Sequence, residues 1–221
     1  MSLRKRLVIV GADAFGIEVW HLSNDIPSDS KDWDNVVFIN DEIKNTQIEL
    51  YNANISCLII STIDDYVPQF NDVCICSIVN PKTKLDIVEK LKERGVKFTN
   101  IIHPTAIIGI GCRLGTGIIL CPYVVMTVNV SVDNHVIVDV ASSIGHDAKI
   151  GEGVTIGSQC DITGYCDIQR GALIGSGTSA LPKSIIGENS VVCAGSVVLK
   201  KVRANRVVTG NPAYYVDKIT K

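Results

Sequence analysis

His146 and Asp147 stand side by side in the segment Ser142-Ser143-Ile144-Gly145-His146-Asp147. An unperturbed imidazole is mostly free to accept a proton at neutral pH. A carboxylate that reaches its other ring nitrogen would fix the tautomer and raise the basicity, as in a general base with its orienting partner. A histidine on a solvated corner is the other reading of the same residues. His103 and His135 read as structural or incidental, and His21 falls on the first helical stretch. Three histidines converging on a zinc ion are not indicated, because His135 and His146 are eleven residues apart and no H-x4-H occurs. No metal is expected.

The element that must carry His146 is visible as a repeat. Residues 102–203 divide into seventeen hexads without an insertion. Their leading positions run Ile102, Ile108, Leu114, Leu120, Met126, Val132, Val138, Ile144, Ile150, Ile156, Ile162, Ile168, Ile174, Ala180, Ile186, Val192 and Val198. The fifth position is small or β-branched, as at Ala106, Val136, Ser142, Ala148, Thr178 and Ser190. A six-residue period is neither helical nor a simple strand alternation. It suits a short strand, a bend and a repeat, with three strands closing a triangular coil of eighteen residues. The leading aliphatic should point inward and stack on its equivalents, and the fifth residue should fill the space beside each corner. Cys112, Cys160 and Cys166 fall at fifth positions, which argues for packing rather than chemistry.

The first hundred residues read differently. Arg6–Val10 is expected as a buried strand, followed by the turn Gly11-Ala12-Asp13-Ala14-Phe15-Gly16 into a helix. Val36–Ile39 reads as a second strand ending in Asn40-Asp41-Glu42, and Val73–Val79 as a third ending in Asn80-Pro81. Residues 82–94 have helical spacing, capped by Gly95. Strand, glycine turn, helix and acid-ended strand outline a small Rossmann-like α/β unit, in which strand ends and a helix N-terminus form an anion-binding crevice. Gly11 and Gly16 would let a ligand approach the backbone, and Asp41 could accept hydrogen bonds from a ribose or base. The middle glycine of a dinucleotide fingerprint is absent, with Asp13 in the turn instead, which disfavours a dinucleotide cofactor. An ordinary strand–helix turn is the competing account of this glycine pair.

Composition narrows the function classes. The chain has 221 residues and a net charge of −2, so it has no basic surplus for a nucleic-acid backbone. Aromatic residues are 5% of the total, too few for base-stacking platforms. Neither the opening apolar run Leu7–Val10 nor the stretch 118–132 has the length and continuity of a signal or a membrane span. Eight scattered cysteines without a C-x2-C pair read as reduced and packed, the pattern of a cytoplasmic protein.

The two halves together resemble bacterial sugar-nucleotide N-acetyltransferases of the bacillosamine, perosamine and viosamine type, a group within the sialic-acid O-acetyltransferase family. The residues that carry this resemblance are GADAFG, FINDE, IIHPTA, SSIGHDAKIG and VVTGNPAYYV, which span nearly the whole chain. It implies an α/β nucleotide-sugar-binding domain at 1–101 and a left-handed parallel β-helix of hexapeptide repeats at 102–221. It also implies a homotrimer with acetyl-CoA between neighbouring coils and a nucleotide diphosphate amino sugar on the first domain. His146 would be the base, Asp147 its neighbouring carboxylate, and Gly164, eighteen residues on, would turn its amide to the thioester carbonyl. Asp139 would face the sugar, and Gly11, Asp13, Gly16, Asn40, Asp41 and Asn80 would line the nucleotide crevice. For the cofactor, Gly175, Gly177, Ala194 and Gly195 offer narrow edges for a pantetheine arm, with ordinary coil corners the competing account of each glycine. Lys200 and Lys201, with Arg203 and Arg206, could meet its phosphates, although a solvated charged face is the better account of at least two of them. The chain departs from the family at Thr155, where many members carry a second histidine, and at Ile78-Val79-Asn80-Pro81, which lacks a usual glycine. An O-acetyltransferase of a free sugar acid and a non-catalytic sugar-nucleotide scaffold are the alternatives on the same fold.

Overall fold

The computed structural model describes residues 5–216 other than 32 and 53. The outermost parts of the two expected domains, residues 1–4 and 217–221, lie outside the described residues. The chain opens with β1 (Lys5–Val10), α1 (Ala14–Asp25), β2 (Trp33–Ile39), α2 (Ile43–Asn52), β3 (Ile59–Ser61), β4 (Asp72–Cys76) and α3 (Pro81–Glu93). The four strands form one parallel sheet in the order β3-β2-β1-β4.

Both faces of this sheet are covered, which is why β1 and β4 read as continuous apolar runs rather than alternating ones. Leu7, Ile9, Val73 and Ile75 pack with Val19 and Leu22 of α1. Val8, Val10, Cys74 and Cys76 pack on the opposite face with Val88 and Leu91 of α3. All eight cysteines are free thiols. Neither α2 nor β3 stands out in the sequence: β3 is three residues long, and Ile48 and Tyr51 of α2 are exposed.

From Ile101 onward two-residue strands recur, three to a coil. Ser131 pairs with Lys149 and Ser143 with Asp161, each eighteen residues on. They stack into three parallel sheets, here called the first, second and third faces in chain order, beginning at Ile101, Ile107 and Arg113. This architecture fits a left-handed β-helix. A corner follows each face and places one residue in the left-handed backbone region, such as Ala141 on the first edge, Asp147 on the second and His135 on the third.

The leading aliphatics from Leu120 to Val198 are at most 3% exposed, so each large one contributes about 1.5–3 kcal/mol by burial. The expectation does not hold in the first coil: Ile102 and Leu114 are half-buried, and Ile108 is 39% exposed. No earlier coil covers that end. The hexad register also fails in its last unit. Val202 pairs with Ile186, sixteen residues apart, because the corner at Leu199-Lys200 is two residues shorter than the others. The stack closes with Tyr214–Val216 running antiparallel to Val207–Thr209. One buried cluster runs from Leu7 of β1 through the coils to Val208, so the two units share a core.

Candidate active site

Two constellations emerge, one on an edge of the coils and one where the α/β unit meets them. On the second edge, His146 Nδ1 lies 2.9 Å from Asp147 Oδ2. A carboxylate only accepts, so this contact assigns the proton to Nδ1, and in the neutral ring Nε2 then carries the lone pair. The imidazole hydrogen bond is the main reason the Asp147 carboxyl is held below the usual carboxylate range. Asn129 Nδ2, one coil earlier, donates to Asp147 Oδ1 at 3.4 Å, and the His146 ring stands edge-on to Tyr165 with centroids 5.0 Å apart. The ring is about half exposed, so an incoming group can reach it.

Gly164 stacks on the same edge. A Cβ built on it would lie 2.6 Å from His146 Nε2, so only glycine leaves the ring in place. The amides of Thr163 and Tyr165 donate to the carbonyls of Ala180 and His146, while among the described residues the Gly164 amide between them donates to no backbone carbonyl. His135 sits on the third edge, buried and edge-on to Phe98, away from His146.

The second constellation lies at the carboxyl ends of β1, β2 and β4, where the strand order reverses between β1 and β4. Open parallel sheets bind ligands at such a switch point. Gly11 is in the left-handed region at φ +96°, with a potential Cβ only 2.7 Å from Ile78 Cδ1. At Gly16 a Cβ would stand 2.3 Å from the Gly11 carbonyl, so this glycine serves helix–strand packing. Asp13 caps α1 by accepting from the Gly16 amide at 3.2 Å, and Asn80 caps α3 by accepting from Thr83 at 3.0 Å. Asn40 accepts from the Ala12 amide and donates to Thr46 Oγ1, and Asp41 accepts from the Ile63 amide. Gly11, Asp13 and Gly16 thus follow the end of β1 and Asn40 and Asp41 the end of β2, several of them engaged by nearby backbone, whereas Asn80 lines a cleft of about 590 Å³ with Arg170 and Asn189.

A groove of about 410 Å³ lies over the first face of the coils. Phe15 and Val79 from the α/β unit roof it, and Ile137, Thr155, Leu173 and Val191 form its floor. Asp139 is its carboxylate, with Oδ1 accepting from the Val140 amide at 2.7 Å. Glu18 stands beside it: burial, then the charges of Asp139 and Asp13, raise the Glu18 pKa. Gly175 and Ala194 line the groove, and Gly177 and Gly195 follow on the same first edge at φ +70° and +69°. Lys200 lies on the second edge in the last coil and Lys201 on the third face, both exposed. The residues proposed for the cofactor are thus divided between edges: Gly164 and Lys200 share the edge of His146, whereas Gly175, Gly177, Ala194 and Gly195 do not. A larger cleft of about 800 Å³ between Trp33, Phe98 and Thr116 contains none of these residues.

Among solved structures, WeeI from Acinetobacter baumannii matches 96% of this chain and all of its own, with a TM-score of 0.83 and 25% identity. The acetyltransferase domain of PglB from Neisseria gonorrhoeae matches the same shares at 0.85 and 21%. PerB from Caulobacter crescentus, solved with CoA and GDP-perosamine, matches 97% of this chain and 99% of its own at 0.82 and 18%. The chain has the fold of these three proteins. A Saccharomyces cerevisiae protein provisionally named an acetyltransferase is 48% identical over 48 residues, 22% of this chain. The chain matches about a quarter of that protein's length. No family model matches. No helix among the described residues is long and apolar enough to cross a membrane.

Within this fold, sequence reasoning missed Phe15, Glu18, Val79 and Lys84. Phe15 and Glu18 lie on the first turns of α1 beside Asp13, a position that could have marked them. Nothing local marked Lys84, whose surroundings come from residues about seventy positions away.

Proposed function

We propose that the protein transfers the acetyl group of acetyl-CoA to the amine of a nucleotide-linked sugar, of the 4-amino-4,6-dideoxy type, during surface-glycan synthesis in the cytoplasm. His146 is the general base. Its Nε2 takes the proton of the attacking amine, Asp147 holds the Nδ1 proton, and the Gly164 amide donates to the oxygen that gains charge. Nitrogen bonds to the acetyl carbon, the carbon–sulfur bond breaks, and the thiolate leaves with the proton that His146 passes on. No covalent enzyme intermediate is needed, because amine and thioester meet directly.

The observation that carries this reading is the His146–Asp147 pair at 2.9 Å, with Nε2 turned to the glycine edge. The nucleotide is assigned to the crevice at Gly11, Asp13, Gly16, Asn40, Asp41 and Asn80, and the sugar to the adjoining groove. The apolar floor of that groove suits a deoxygenated ring, and Asp139 suits its polar side. Division of the cofactor residues between two edges supports a homotrimer. A second copy packed alongside would bring the Gly175–Gly195 edge of one protomer to the His146 edge of its partner.

The test compares acetylation of nucleotide-linked and free amino sugars, with UDP, dTDP and GDP carriers. Turnover that requires the nucleotide supports the proposal. Equal turnover of a free sugar acid would favour O-acetyl transfer, and ligand binding without turnover would favour a scaffold.

A further inference from the structure

Lys84 is completely buried although it is charged in its ordinary state. Its Nζ lies 2.8 Å from Thr155 Oγ1 and 3.3 Å from the Val154 carbonyl, both on the coils. Neither partner is a carboxylate. Burying an ammonium against neutral acceptors is unfavourable, and burial pushes the Lys84 pKa down to about 7. The fold does not require this arrangement. Val154 is already bonded to the Ile137 amide at 3.0 Å, so an apolar side chain at 84 would leave no coil carbonyl unpaired.

The hydrogen inventory shows what Lys84 does. The Val79 carbonyl can only accept and Thr155 has one hydroxyl hydrogen, so Lys84 Nζ donates to Thr155 Oγ1 whether or not it is charged. The Thr155 hydrogen is directed to the Val79 carbonyl, 2.8 Å away. Lys84 thus heads a short chain from α3 through the coil to the segment after β4. Thr155 and Val79 both line the 410 Å³ groove, and Val79 is followed by Asn80, whose side chain caps α3. The Lys84 amide in turn donates to the Asn80 carbonyl at 2.9 Å. Leu85 seats the same turn against Gly153, where a Cβ would lie 2.6 Å from its side chain.

We propose that Lys84 is a positioning residue: through Thr155 it pins residues 77–80, and so fixes the wall shared by the nucleotide crevice and the sugar groove. The substrate part of this inference rests on the function proposed above, whereas the pinning does not.

The experiment uses the full chain with Lys84→Met, Thr155→Val and Thr155→Ser. Amide hydrogen exchange of residues 77–80 is expected to speed at least tenfold in Lys84→Met, with the coil strands and the melting temperature unchanged or the latter raised. The KM for the nucleotide amino sugar is expected to rise at least tenfold, with the KM for acetyl-CoA within threefold. Thr155→Ser, which keeps the hydroxyl, should show wild-type exchange at residues 77–80, and Thr155→Val should show the faster exchange. Unaltered exchange at 77–80 in Lys84→Met would overturn the pinning. Altered exchange with unaltered sugar KM would overturn the positioning role. If wild-type protein turns over no nucleotide amino sugar, the underlying functional reading fails, and the exchange data still decide the pinning.

Discussion

A Cβ on Gly164 would stand 2.6 Å from Nε2 of His146, eighteen residues earlier and one coil away. The nitrogen left free by Asp147 thus faces a place on its edge that only glycine fits. Gly164→Ala should push the ring aside without disturbing the buried aliphatics beneath. Turnover is expected to fall roughly 10²-fold with little change in melting temperature, as measured by initial rates and calorimetry. Wild-type rates in this variant would remove the Gly164–His146 contact from the mechanism.

Replacing the base itself has a larger expected effect. His146→Asn should lower turnover by at least about a hundredfold while the protein still binds nucleotide sugar and acetyl-CoA. Isothermal titration beside the rate assay separates lost chemistry from lost binding. An active variant would exclude His146 as the base.

Asp147 acts through the ring rather than on the substrate. Asp147→Asn removes the carboxylate that fixes the Nδ1 proton, so kcat should fall roughly tenfold or more, with both KM values within threefold. The carboxyl is held below its ordinary range, so the wild-type pair should stay intact into mildly acidic solution. The pH–rate profiles of the two proteins provide the check.

His135 supplies a pH-dependent stability. It is 1% exposed, neither ring nitrogen has a protein partner, and burial lowers its pKa from 6.5 to about 4. Between those values the unfolded chain binds the proton and the folded chain does not. Stability from this residue is therefore complete above about pH 6.5 and declines as the pH falls towards 4. His135→Asn, which tolerates the left-handed backbone at φ +58°, should melt with a shallower dependence on pH across that window. Parallel slopes for the two proteins would contradict the assignment.

The coil interior tolerates no charge. Ile156 is fully buried, stacked between Val138 and Ile174. Ile156→Asp should prevent folding, since an unpaired carboxylate there costs several kcal/mol. Circular dichroism and gel filtration would detect it, and a soluble folded variant would contradict the stack.

The repeat determined most of this protein without reference to anything else. A side chain every six residues must be apolar because it meets its equivalents one coil above and below, and that local rule writes itself into the order of residues. It also places His146 and Gly164 on one edge, since both follow from the eighteen-residue coil. The rule failed where its cause lapses: Ile108 has no coil before it, and Val202 follows a shortened corner. The strand–glycine–helix opening was equally legible, although β3 was too short to announce itself. Tertiary structure alone decided that Asn40 is engaged by the Ala12 amide, that Glu18 lies beside Asp139, and that Lys84 is buried against Thr155. These relations depend on how one packed unit sits on another. No periodicity records them, because each arises once, between residues far apart in the chain.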